Sequence, residues 1–314
     1  MTPALQRAWR WTRRLAPWVL AALVLGLVAQ QARAVDWPEV GQALRQMPPW
    51  RLAAAAGLAV LSYAVYAGFD LVGRHLTRHR LSVPRTLGTA AISYAFNLNF
   101  GALVGGLAMR LRLYTRWGVE APTVAKVIAL SMTTNWLGYL WVTGAVLLAS
   151  PPRLPGDWAP GDAVLRAIGA LMVALAFAYV ALCAASRQRT LRWRTHALAL
   201  PDGRLAVAQA LMGGASWCLM GAIVWVLFAG QADYPTVLGA LLMAAVAGVI
   251  THVPAGLGVL EAVFVATLSG QVNATEVLAA VLAYRAAYYL LPLALALPAY
   301  ALSEVAARRR SPQH

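Results

Sequence analysis

The sequence predicts an all-α, polytopic membrane protein with six full transmembrane helices and two oppositely oriented re-entrant helical hairpins in an inverted repeat. Three observations predict it. The 314 residues are 61% hydrophobic and only 12% charged, about half the charged fraction of an ordinary soluble domain. Apolar runs of membrane-spanning length recur from end to end. The arginines fall in short blocks between those runs, as cytoplasmic loops facing anionic lipid do.

The first run, 15–30, follows Arg7, Arg10, Arg13 and Arg14 and precedes Ala32-Arg33-Ala34. Both a cleaved signal peptide and a retained first helix match this pattern; the span directly behind it favours retention. Residues 31–51 place Asp36, Trp37, Glu39, Val40, Leu44 and Met47 in the pattern of an interfacial amphipathic helix ended by Pro48-Pro49. The other full spans are 52–72, 124–148, 164–186, 205–228 and 276–300. A single membrane domain results. Residues 1–51 hold the first helix and external segment, 52–148 repeat one, 149–204 a connecting helix and loop, 205–303 repeat two, and 304–314 a basic tail.

Orientation follows from the arginines. Blocks at 7–14, 74–85, 110–116, 187–204 and 308–310 hold nineteen, against five in the opposite loops, namely Arg33, Arg45, Arg51, Arg153 and Arg166. The richer set belongs in the cytoplasm, with both chain ends, in a bacterial inner membrane. Two apolar segments are then anomalous. Residues 88–109 are bounded by Arg85 and Arg110, both cytoplasmic, and residues 234–270 have both ends outside. Each must enter and leave on one face. Irregular backbone at membrane depth is tolerated where protein buries it or a wet cavity borders it. The expected bends are Asn97, Asn99, Gly105 and Gly106 in one hairpin, and His252, Pro254, Gly256 and Gly258 in the other. The two halves correspond in opposite orientation, with Gly105-Gly106-Leu107-Ala108 opposite Ala255-Gly256-Leu257-Gly258. That is the architecture of alternating-access transporters, with the site at the repeat interface.

The net charge of +15 does not indicate nucleic acid, because no solvated basic face is present. Cys183 and Cys218 lie inside apolar runs and read as core residues. Neither a metal-ligand spacing nor an HExxH, GxSxG or Walker loop occurs. No catalytic residue, metal or cofactor is expected.

Arg285 is the most informative residue. Ten residues of helix put it about 15 Å deep, where a charge needs a cavity or a partner. Glu261 lies about 12 Å deep by the same arithmetic, so the two are expected to pair, either pinning the hairpin or gating it. Thr133, Thr134 and Asn135 occupy the mirror depth. Each Thr more commonly bonds its own helix, yet three polar neighbours suggest a cavity wall. Arg110 is nearest the glycine tip and suits a lipid phosphate, whereas Arg112 and Arg116 read as boundary residues. Asp70 and Arg74, four apart, fit a structural helical pair. His252 can titrate near neutrality or simply stabilise the bend. Tyr284, Tyr288 and Tyr289 flank Arg285 as core packing or as hydrogen-bonders to a head group. Trp11, Trp18, Trp37, Trp50 and Trp158 read as interfacial belts.

The stretch Gly256-Leu257-Gly258-Val259-Leu260-Glu261-Ala262, then Tyr284-Arg285 and Tyr288-Tyr289-Leu290-Leu291-Pro292, resembles the membrane domain of lysylphosphatidylglycerol synthase/flippase proteins. So does Gly105-Gly106-Leu107 with Arg110. The resemblance covers nearly the whole chain and is most specific over 251–292. In fused members this domain moves aminoacylated phosphatidylglycerol between leaflets, while a separate cytoplasmic domain makes it. Only 308–314 follows the last span here, so the resemblance implies transport of a membrane phospholipid, not aminoacylation. It marks Arg110, Glu261 and Arg285 as the residues to test. Two alternatives stand beside it: a non-transporting scaffold or regulator partnered with a lipid-modifying enzyme, and a membrane-embedded transferase acting on a head group.

Overall fold

The computed structural model describes residues 37–152, 161–186, 190–193, 196–251, 253–268 and 270–308. The expected first span, its signal-peptide alternative, Trp11, Trp18, Trp158, His252 and the end of the basic tail lie outside the described residues. Two units are distinguished, Met1–Gln42 and Ala43–His314. The described part of the first is the start of helix α1 (Trp37–Gln46), the amphipathic helix expected before Pro48-Pro49. The second unit contains everything below.

Helix α2 (Pro49–Thr77) starts on a proline, whose fixed φ suits a first helical turn. It ends where Arg78 turns left-handed at φ 53°. Helix α3 (Val83–Gly101) runs into a π-helical segment, Ala102–Met109, and then into α4 (Arg110–Arg116). Helix α5 (Ala121–Ala149) and α6 (Asp162–Ala185) complete the first half and the connection. The second half repeats the order. Helix α7 (Gly203–Phe228) is capped by Asp202, whose Oδ1 accepts the Leu205 amide at 2.8 Å. Helix α8 (Tyr234–Thr251), a 3₁₀ turn Pro254–Gly256 and α9 (Val259–Leu268) form its hairpin. The last long helix is α10 (Ala274–Arg285), a π segment Ala286–Leu290 and α11 (Leu291–Arg308).

Six stretches among the described residues are long and apolar enough to cross a membrane: Pro49–Thr77, Val83–Arg116, Asp162–Ala185, Gly203–Phe228, Tyr234–Thr251 and Ala274–Ser303. Helix α5 equals α2 in length, at 29 residues. The protein is therefore a multi-pass helical membrane protein. Strands β1 (Thr190–Trp193) and β2 (His196–Ala199) form one short antiparallel hairpin within the arginine-rich loop, the one departure from the all-helical expectation. Its backbone groups pair in a ladder where the composition suggested only a basic connector.

Both halves contain a helical hairpin. In the first, Gly101 breaks the helix at φ 82°, and the π segment packs back along α3. A continuous helix would hold residues 97 and 105 about 12 Å apart. Instead, a Cβ on Gly105 would run into the backbone of Phe96 and Asn97. The Arg85 guanidinium lies 4.5 Å from the Trp117 ring, so the start and end of the hairpin share one end of the bundle. Of the expected bend residues, Asn97 and Asn99 thus sit in the last turns of α3, Gly101 makes the turn, and Gly105 and Gly106 lie on the return limb. In the second hairpin Ala255, Gly256 and Gly258 have φ of 55°, 58° and 76°, so the expected Pro254–Gly258 bend is the turn itself.

Among the described residues, helices α2 and α7, the first of each half, pack against one another more extensively than any other pair. Helix α5 crosses α7 so closely that a Cβ on Gly138 would meet the backbone of Gly213. Small residues permit this approach where no water drives helices together. The main core gathers Phe69, Tyr94, Phe228, Phe264, Tyr284 and Tyr288 between the halves.

Candidate functional site

The bend of the second hairpin is closed by one side chain. Arg285 is the last residue of α10. Its Nε donates to Glu261 Oε1, and its Nη2 donates to Glu261 Oε2 at 3.0 Å. The same guanidinium reaches the bend backbone: Nη1 donates to Ala255 O at 2.9 Å and Nη2 to Gly256 O at 2.8 Å. The predicted pair therefore forms, and it holds the bend as well as the return limb. Arg285 is 6% exposed and Glu261 19%, so the carboxylate is the more open partner. A planar fork that grips a carboxylate can grip a phosphate in the same way.

A second buried pair lies on the first hairpin. Arg110 Nη2 stands 3.0 Å from Asp70 Oδ1, with exposures of 3% and 0%. The two atoms are not aligned for a hydrogen bond, so the contact is ionic. Tyr114 donates its hydroxyl to Asp70 Oδ2 at 2.9 Å. This corrects two expectations. Asp70 does not pair with Arg74, whose Nε donates to Leu81 O at 2.7 Å. Nor is Arg110 open to a lipid phosphate at the glycine tip; it is buried against Asp70, because a desolvated charge takes the nearest opposite charge. Each return limb thus carries a paired charge five residues after a glycine, Arg110 after Gly105 and Glu261 after Gly256, and the two are opposite in sign.

Between the two pairs lies a cluster of tyrosines. Tyr288, fully buried, shares hydrogen bonds with Ser62 (2.8 Å) and Tyr94 (3.0 Å). Tyr66 stacks on Tyr94 at 3.5 Å, and Tyr284 on Tyr288 at 5.4 Å. The Arg110 guanidinium lies over Tyr66 and that of Arg285 over Tyr289, each at 5.6 Å. A π turn leaves main-chain carbonyls outside the α register. Two of them are taken up by the other half: Tyr63 donates to Tyr288 O at 3.3 Å and Asn99 Nδ2 to Tyr289 O at 3.1 Å.

The remaining expected residues are placed as follows. Tyr284 and Tyr288 are core residues, with the Tyr288 hydroxyl used inside the protein. Thr133 and Thr134 bond back to Ala129 O and Leu130 O. Asn135 is half-buried on α5 and is not brought to Arg285; its carbonyl accepts the Trp217 indole N–H at 3.1 Å. Sequence reasoning missed Asp70 as the partner of Arg110. It also missed Ser62, Tyr94 and Tyr114, and Gln209, which donates to Thr134 at 2.9 Å. A carboxylate inside the span 52–72 was the available signal for Asp70. Cys183 and Cys218 are unpaired, and the described residues hold no cluster of three metal-ligating side chains.

Residues 15–296 match the family of lysylphosphatidylglycerol synthase transmembrane (TM) regions. The chain is 39% identical over 302 residues to Inner membrane protein YbhN of Escherichia coli (strain K12), covering 96% of this chain and 95% of that protein. It is 31% identical over 317 residues to Uncharacterized protein slr0712 of Synechocystis sp., covering 96% and 97%.

Proposed function

Because the chain belongs to the family of lysylphosphatidylglycerol synthase transmembrane regions, we propose that it is an inner-membrane lipid transporter, moving a phospholipid or lipid-linked head group between leaflets. The observation that carries this reading is the Arg285 latch. One guanidinium holds Glu261 and both carbonyls of the Ala255–Gly256 bend. A head-group phosphate offers the same fork-shaped acceptor as the carboxylate. Taking Arg285, it would free the bend to flex on its positive-φ residues, while Glu261 receives any cationic part of the head group. The lipid tails stay in the bilayer throughout.

The two hairpins dip into the membrane from opposite faces in this reading, with the chain ends and the basic loops in the cytoplasm. Irregular backbone at that depth needs protein to satisfy it, which is what Arg285, Tyr63 and Asn99 do. No cofactor and no bond-making step are involved.

The test is a reconstituted leaflet-exchange assay with a head-group-labelled phospholipid and the full chain. Wild-type protein is expected to accelerate exchange, and R285A and E261A to abolish it while still inserting. Wild-type rates in both variants defeat the latch mechanism. No exchange with wild-type protein, together with co-purification of a lipid-modifying enzyme, favours a scaffold role instead.

A further inference from the structure

Four helix ends meet at the end of the bundle where the first hairpin enters and leaves: those of α2 and α4, and the starts of α3 and α5. Between them lies a cavity of about 440 Å³, within the size range of small-ligand sites. Arg80 and Arg85 line it, both exposed. Neither has a carboxylate partner among the described residues. Arg85 instead lies against the Trp117 ring at 4.5 Å, which fixes its guanidinium at the cavity wall. Ser82, Thr123 and Glu120 line the same space, and among the described residues Glu120 pairs with neither arginine.

His79 also lines the cavity. Its Nδ1 accepts the Leu81 amide at 3.3 Å, which places the ring proton on Nε2, and Nε2 is buried without a hydrogen-bond partner. Burial, reinforced by Arg74, holds the His79 pKa below its ordinary value, so the ring is a neutral donor near neutral pH. The ring meets Tyr114 edge-on at 5.7 Å, and Tyr114 binds Asp70. The cavity is thus one side chain away from the buried Asp70–Arg110 pair.

We propose that this cavity binds the phosphodiester head group of an anionic membrane lipid, with Arg80 and Arg85 on the phosphate oxygens. The two guanidinia have no carboxylate partner among the described residues, Ser82 and Thr123 add hydroxyls, and Glu120 is the one acidic group in the lining, so the cavity is net positive; a phosphodiester supplies acceptors and opposite charge together. A lipid is favoured over a soluble phosphate by position. The cavity opens where the helices give way to basic loops, the level at which head groups sit and where tryptophan collects. Leu81 and Val119 give it an apolar side for the glycerol end. The site depends on the lipid-transport reading only for its purpose, as the place where a head group is held before crossing; lipid binding is read without any transport.

The experiment is native mass spectrometry of the detergent-solubilised full chain with phosphatidylglycerol, phosphatidylcholine or inorganic phosphate. Wild-type protein is expected to retain phosphatidylglycerol in preference to phosphatidylcholine. R80A/R85A is expected to weaken that binding about tenfold or more, since each lost charge-assisted contact is worth about that factor. R78A removes an exposed arginine outside the cavity and is expected to leave binding unchanged. R80E alone is the second variant, and is expected to weaken binding at least as much as R80A. Unchanged binding in R80A/R85A and R80E overturns the proposal, and so does an equal loss in R78A, which would mean diffuse surface charge. Displacement of the lipid by millimolar inorganic phosphate assigns the cavity to free phosphate and overturns the lipid as its ligand.

Discussion

The hydroxyls of Tyr94 and Tyr288 meet at 3.0 Å, one on the hairpin of the first half and the other on the last helix of the second. Ser62 joins them from α2, so three helices share one buried hydroxyl cluster. None of these groups has access to water, and each is satisfied by another. Removing one leaves a buried donor or acceptor unpaired, at about 1–3 kcal/mol. Y288F is therefore expected to lower the thermal midpoint in detergent more than S62A. Y94F/Y288F is expected to fall well short of the sum of its single changes, because the two share one bond. Additive losses in a melting series argue against a shared cluster.

The Glu261–Arg285 pair behaves differently from a surface salt bridge. Breaking it from one side leaves an uncompensated buried charge, a loss of about 3–5 kcal/mol. E261A and R285A are each expected to melt far below wild type. E261L/R285M, which removes both charges, is expected to recover much of that stability yet show no leaflet exchange. Full exchange by the double variant would separate the pair from transport altogether.

The first hairpin has its own version of this test. D70A strands Arg110, and D70N keeps the shape while removing the charge. D70A is expected to destabilise more than Y114F, which loses a single hydrogen bond of about 1 kcal/mol. Equal effects would mean that the ionic contact contributes little.

Hairpin geometry predicts a split among the glycines. G105A is expected to prevent the return limb from seating against Asn97, with severe loss of folded protein. G258A is expected to cost about 1–2 kcal/mol, the strain of a side chain at positive φ, because nothing crowds that position. Limited proteolysis of membranes ranks the two.

Sidedness is checked with single cysteines in a background lacking Cys183 and Cys218. S82C and T115C, exposed at the two ends of the first hairpin, are expected to react from one face. Q231C and Q271C, exposed beside the second hairpin, are expected to react from the other. Labelling of S82C and T115C from opposite faces contradicts re-entry.

Much of this was legible in the sequence, for reasons particular residues make clear. Glu261 and Arg285 were matched by depth, and a buried charge leaves few choices of partner. The bend at Pro254–Gly258 was visible because glycine and proline announce irregular backbone. Asp70–Arg110 was not visible. Arg74, four residues on, offered Asp70 a local partner, and no helical period relates positions forty residues apart. The two π segments escaped as well. Their geometry is set by donors on other helices, and nothing within Ala286–Leu290 distinguishes it from ordinary helix.

The π segment after Arg285 also sets the phase of everything that follows it. If Ala286–Leu290 reverted to α geometry, one residue would pass into the regular winding. The last helix would then screw by about 100° and advance by about 1.5 Å. Tyr300, whose hydroxyl accepts Arg112 Nε at 2.8 Å, would swing off that arginine. Asn99 and Tyr63, by holding two carbonyls of the widened turn, act as the detent that keeps the C-terminal helix at its present angle.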